Sequence, residues 1–163
     1  PYDKDNLLSC VQSDKRMTEG HVLRYNFLVN FINTRPDIID LYGSINFSNR
    51  ELKDNDKFYA LSSYKYCLAF DNQDTIRNFF GTQFTDSILY WTVPIYWGGA
   101  NLSRFFPQES FIQIDIRNPN ELDRVIEIVQ NDDYESRIPA IILNKYNMWP
   151  MINEIIQTKR LSF

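Results

Sequence analysis

Five short apolar runs, each separated from the next by a polar or helix-patterned stretch, constrain this 163-residue chain more than any other feature. Leu7–Ser13 (LLSCVQS), Ile38–Tyr42 (IIDLY), Tyr64–Asn72 (YKYCLAFDN), Thr92–Trp97 (TVPIYW) and Phe111–Asp115 (FIQID) have the length and apolar content of strands. Between the first two, Val22, Leu23, Phe27, Leu28 and Phe31 recur near every 3.6 residues and predict a helix over Gly20–Asn33 with one core face. Thr18 is placed to cap that helix and Pro36 to end it. Shorter helices are expected over Asp56–Ser63, Thr82–Trp91 and Asn101–Phe106. Asn118-Pro119 offers a cap and a first-position Pro to a helix over Glu121–Val129. Asp132–Tyr146 and Pro150–Thr158 carry helical patterns to the end, and Pro94 inside its run predicts an edge strand or a bulge. Strand–helix alternation with short connections means an α/β fold around a mostly parallel sheet. Ligands of such sheets sit beyond the carboxyl ends of the strands, where the strand order reverses. No repeat, linker or compositional break divides residues 1–163, so one domain is expected.

Composition narrows the partners. Seventeen Lys+Arg against 21 Asp+Glu give a net charge of -4, which lacks the basic footprint of a nucleic-acid binder. Twelve Phe, ten Tyr and three Trp point to a core plus a few exposed rings at a site or interface. Cys10 and Cys67 sit inside apolar runs and read as reduced core residues. The chain has neither an apolar stretch near the ~20 residues of a membrane span nor a signal peptide at Pro1. A start at Pro suggests a processed or excised piece. The glycine fingerprint for dinucleotides, the phosphate loop, the nucleophile elbow and metal-spaced Cys/His sets are missing. His21 cannot build a zinc site by itself; it reads as a partly exposed surface His, with a ligand-facing role as the alternative. Asp54-Asn55-Asp56 has the spacing to share a hard cation, but its Asn-rich surroundings read as a solvated loop.

Three blocks, in order and spacing, resemble glycosyltransferase family 10, the α-1,3/1,4-fucosyltransferases. Tyr64–Asn72 looks like that family's YKF-x-LAFEN strand and Thr92–Gly98 like its T-V-P-I-Y-W-G strand. Asn101–Phe111 (NLSRFFPQESF) looks like the N-x-x-x-F-x-P-x-SF segment that follows, and Leu23–Phe27 is similar to an R-x-x-F helix start. The resemblance covers most of the chain and fades after about Ile128. It implies the Rossmann-like, donor-binding C-terminal half of a two-domain GT-B enzyme that holds GDP-fucose and inverts configuration at the sugar. The carboxylate base and the glycan acceptor would belong to an N-terminal half absent from this chain, so no catalytic residue is assigned. The parent would work in the cytoplasm or at a membrane if bacterial or viral, and in the Golgi lumen if eukaryotic.

Carried over motif by motif, the resemblance makes Arg24 a phosphate clamp, Asn72 a nucleotide contact and Ser13 a hydroxyl near the phosphates. Phe79 stands where a family Tyr stacks or bonds near the nucleotide. A diphosphate leaving group gains charge in the transition state, which Arg, Lys and helix N-termini can meet, so no metal or other cofactor is expected. One departure matters. Counting back from Thr92, the family's Thr-Glu-Lys, whose Glu holds the ribose and whose Lys holds a phosphate, falls on Gly81-Thr82-Gln83. A rival register on Thr85-Asp86-Ser87 would shorten the helix by roughly four residues, one turn. Neither keeps the Lys. Gln83 retains a hydrogen-bond donor, Arg77 is a candidate to supply the charge, and Asp71 keeps the sign of a family Glu. Two functions follow: the donor half of a fucosyltransferase-like enzyme, or a diverged non-catalytic binding or scaffold domain of the same fold.

Overall fold

The computed structural model describes residues 3–52 and 56–160, with side chains as far as Met148. Strands β1 (Asn6–Val11), β2 (Ile39–Tyr42), β3 (Tyr64–Phe70), β4 (Val93–Trp97) and β5 (Ile112–Gln113) form one sheet in the order β2-β1-β3-β4-β5. Every pairing is parallel. Parallel neighbours need crossovers rather than tight turns. Helix α1 (Glu19–Thr34) joins β1 to β2, α2 (Phe58–Ser62) precedes β3, and α3 (Thr82–Leu89) joins β3 to β4. Two 3-10 turns, Leu102–Arg104 and Gln108–Ser110, lead to β5, and α4 (Glu121–Asn131) and α5 (Tyr134–Arg160) follow. The α/β reading therefore holds, and no strand boundary moves by more than two residues from its expected place. Val93–Trp97 and Tyr66–Phe70 are wholly buried, as interior strands covered on both faces must be. Both cysteines are buried and free.

Four expectations need correction. The core face of α1 is Gly20, Arg24, Phe27, Leu28 and Phe31, with His21 beside it, while Val22 is exposed. Those five positions follow helical spacing as well as the apolar set does; polar residues take the buried face because the first turns of α1 reach the carboxyl end of the sheet. Pro94 is on an interior strand rather than an edge. Tyr96 O accepts from Ile114 N, so Tyr96 and Pro94 face the β5 side, and β5 pairs only from Ile95 onward. The missing N–H thus falls where no neighbour has yet begun. Asn118 does not cap α4; its Oδ1 accepts from Asn120 N in a turn, and the helix starts at Glu121. The last two helices are one, α5, which runs through Pro139 and Pro150, each removing one backbone bond. Asp132 lies outside it, in the left-handed conformation that ends α4.

Candidate functional site

Strand order reverses between β1 and β3, and the crevice at their carboxyl ends is where this topology places ligands. Direct pairing of the two strands stops at Cys10 and Leu68. Beyond that point Gln83 takes over: its Oε1 accepts from Phe70 N at 3.0 Å and its Nε2 donates to Val11 O at 3.0 Å. The amide continues the ladder by one rung and ties the start of α3 to both strands.

The start of α1 closes the other side of the crevice. Thr18 caps the helix and accepts from His21 N, and His21 Nδ1 lies 2.6 Å from the same hydroxyl. At Gly20 a Cβ would stand 1.8 Å from Asn72 O, so only glycine lets α1 approach the end of β3 this closely. That approach brings Arg24, 6% exposed, to Asn72, where Nη1 donates to Oδ1 at 2.7 Å. Arg24 Nε is buried without a partner among the described residues, and so is Gln12 Oε1. Buried polar atoms are nearly always bonded, and exceptions collect at sites that await a water or a ligand.

Two cavities meet here. One of about 270 Å³ is lined by Asn72, Phe79, Thr82 and Asp71. One of about 920 Å³ opens between the ends of β1 and β2, beside Ser13, Lys15 and Gly43. Arg24 and Gln83 line both. The six residues expected to bind the donor therefore surround one two-lobed cleft. Ser13 lies in the larger lobe, Asn72, Phe79 and Thr82 in the smaller, and Arg24 and Gln83 at the junction. Phe79 is an exposed ring, 42% accessible, rather than a core residue. Ser87, of the rival register, is fully buried and donates to Gln83 O, and Asp86 pairs with Lys57. Arg77 is exposed and lines neither lobe.

The electrostatics favour an anion at the junction. Burial depresses the Arg24 pKa, with Cys10 and Asp71 opposing, yet a guanidinium stays charged at physiological pH. Asp71 is buried; its carboxylate accepts from Gly81 N at 3.1 Å and from the Tyr96 hydroxyl, which in turn accepts from Gly99 N at 3.0 Å. Desolvation raises the Asp71 pKa, while Tyr96, Gly81 and Arg24 pull it down. His21 is buried at 5% exposure, which corrects the expectation of a surface His; burial, then Arg24 and Lys15, depress its pKa. Of the Asp-x-Asp, Asp54 and Asn55 lie outside the described residues, and Asp56 Oδ1 accepts from Phe58 N at the start of α2. Among the described residues no group of three or more His, Cys, Asp or Glu is placed to hold a metal.

The model of glycosyltransferase family 10 (fucosyltransferase), C-terminal part, matches residues 2–151. The chain belongs to that family. It is similar to the 4-galactosyl-N-acetylglucosaminide 3-alpha-L-fucosyltransferase FUT5 of Gorilla gorilla gorilla, 29% identical over 97 residues, 58% of this chain and 25% of that protein. It is also similar to the 3-galactosyl-N-acetylglucosaminide 4-alpha-L-fucosyltransferase FUT3 of Pan troglodytes, 26% identical over 132 residues, 79% of this chain and 33% of that one. A crystal structure of an alpha1,3-fucosyltransferase with GDP-fucose shares the fold, with a TM-score of 0.64 at 21% identity over 85% of this chain and 39% of the other. The chain thus spans a quarter to a third of these curated relatives and about two-fifths of that structure.

Within this family-10 chain, sequence reasoning missed the Tyr96–Asp71–Gly81 link, which fixes the start of α3, and the unpartnered Gln12 Oε1. Tyr96 reads as one more apolar strand residue, and nothing in its neighbours announces a bond to a residue 25 positions away. Gln12 carried a signal, an amide immediately after a buried strand, in a position where its side chain has to go somewhere polar.

Proposed function

We propose that this chain is the nucleotide-sugar-binding part of a fucosyltransferase, with a GDP-fucose-type donor laid across the cleft and its diphosphate at Arg24. The observation that carries this reading is the position of Arg24. It is a buried cation at the switch point, bonded among the described residues only to Asn72 Oδ1, with an unsatisfied Nε between two polar lobes. The first turn of α1 adds its dipole to the same place. Family membership and the GDP-fucose and GDP complexes of structural neighbours support a guanosine nucleotide as the donor's carrier. One lobe takes the nucleoside and the other the sugar, with Thr82 and Phe79 beside the ribose and base. Inversion at the sugar and deprotonation of an acceptor hydroxyl are assigned to a further part of the parent protein that meets the glycan. A eukaryotic parent would act in the Golgi lumen.

The alternative, a non-catalytic module of the same fold, is favoured by one observation: Gln83 is engaged on both sides as a strut and leaves no charge where the resemblance places a Lys. Calorimetric titration of the folded chain with GDP, GDP-fucose and, as control, UDP separates the readings. Selective binding of the guanosine compounds supports the donor site; absence of binding with a normal melting curve leaves the scaffold. Chelator is expected to leave the affinity unchanged. A loss on chelation that manganese restores and Asp54→Ala abolishes would move the phosphate contacts to a metal.

A further inference from the structure

A diphosphate ester carries negative charge on both phosphates and gains more as the sugar departs, so one guanidinium is too little for the site proposed above. Arg24 meets part of that charge, and the Asp71 carboxylate offsets part of its field. Gln83 can add none, because its amide is neutral, and its carbonyl and one of its two N–H groups already bridge the strands. The cations lining the larger lobe are Lys15, Arg24, Arg50 and Lys57, set against Glu51. Arg50 is held by Asp40 at 2.8 Å and Lys57 by Asp86 at 2.9 Å. Lys15 has no carboxylate partner among the described residues. It stands on the loop from β1 to α1, two residues after Ser13 and three before the cap Thr18, exposed and on a flexible stem. The fields of both Lys15 and Arg24 reach His21 in the first turn of α1, so the two cations and the helix dipole act on one region.

We infer that Lys15 is a substrate-binding residue that supplies the second positive charge to the donor diphosphate, from the β1–α1 loop, in place of the cation that Gln83 does not provide. The inference rests on the donor-site reading. It differs from the expectation for Arg77, because it follows from which cations line the cleft and which of those are already paired.

The test is titration of the chain with GDP and GMP over a range of salt. Lys15→Ala should weaken GDP roughly ten-fold, the scale of one charge-assisted contact, weaken GMP less, and flatten the salt dependence. Lys15→Arg should restore most of the loss. Lys15 is exposed, so the variants should melt as the wild type does. Unchanged GDP affinity and salt slope in Lys15→Ala, with Arg24→Ala still impaired, overturn the inference. So does a ten-fold loss in Arg77→Ala or Lys57→Ala with none in Lys15→Ala. Failure of folded wild type to bind any guanosine nucleotide is read before any variant; it removes the donor site itself, and the role of Lys15 with it.

Discussion

Two cations are set into opposite ends of the same sheet, and they are treated differently. At the amino end, Lys4 Nζ donates to Tyr90 O at 2.7 Å, to Leu61 O at 3.0 Å and to Thr92 Oγ1 at 3.0 Å. All three ammonium hydrogens are used. They join the segment before β1 to the end of α2, the end of α3 and the start of β4, and Lys145 adds a bond to Leu89 O on the same helix end. Cations suit helix C-termini, and α3 has none of its own in its last turn. At the carboxyl end Arg24 spends one hydrogen bond, on Asn72, and leaves Nε buried and unpaired. A fold has no reason of stability to bury a guanidinium half-satisfied, since an orphaned buried donor costs about 1–3 kcal/mol. The saturated cation is structure; on the donor-site reading proposed above, the unsaturated one is where a phosphate would bind.

The largest effect should come from separating these roles at Arg24. Arg24→Ala is expected to weaken GDP binding by ~1.5–3 kcal/mol, the range for a charge-assisted contact, with little loss of thermal stability. A variant that loses stability and binding together would make Arg24 a second Lys4 and erase the contrast.

Gln83 stands between the two cases, inside the cleft yet bonded at both its carbonyl and its amide nitrogen. Gln83→Lys removes both hydrogen bonds of the bridge between β1 and β3, so unfolding by denaturant should show a loss of about 2 kcal/mol from two backbone groups left unpaired. If charge is what the cleft lacks, GDP binds the surviving folded fraction more tightly than it binds wild type. Tighter binding with no loss of stability would mean that the amide bridge is not a strut.

The fold was legible because five runs separated by helix-length or polar stretches leave few arrangements other than a parallel sheet, and each run kept its place within two residues. That Arg24, Asn72 and Gln83 line one cleft was legible from the resemblance and from their places near strand ends or helix starts. What they do was less so. That Gln83 is a strut, that Gly20 is the point of closest approach, and that Asp71 holds α3 through Gly81 all depend on residues 10 to 72 positions apart coming within bonding distance. Local pattern carries no record of such pairs. His21 and Val22 were exchanged between surface and core for the related reason that hydrophobicity alone orients a helix poorly at the end that faces a polar cleft.

At the amino end, Lys4→Met should cost about 1 kcal/mol, because desolvation of the ammonium already offsets much of what its three bonds give, and should leave GDP affinity unchanged. An effect on GDP affinity would show that fixing the end of α3 matters for its start, and that the two ends of the sheet are not independent.

The smallest and most diagnostic effect is in the pH dependence of stability. Burial lowers the Lys4 pKa from its ordinary 10.5 to about 7, while Cys67 and Lys145 act in opposite directions on it. Between those two values the unfolded chain holds a proton that the folded chain has released, so this group makes stability rise with pH from about 7 toward 10.5. The buried thiols act the other way. Burial raises Cys67 from 9.0 to about 11 and raises Cys10 as well, so above pH 9 the folded chain keeps protons that the unfolded chain loses, and stability falls. Tyr134, raised by burial from 10.0 to about 12, extends that fall. Wild type should therefore gain stability from pH 7 to about 9 and lose it beyond. The difference between wild type and Lys4→Met isolates the lysine, because the thiols and tyrosines are common to both. That difference should favour wild type more at each step from pH 7 to 10 in chemical denaturation, and the corresponding difference for Arg24→Ala should be flat across the same range, since a guanidinium does not titrate there. A flat Lys4 difference would mean that its three acceptors hold the ammonium charged, leaving Lys4 a permanent cation like Arg24 and the contrast resting on hydrogen-bond saturation alone.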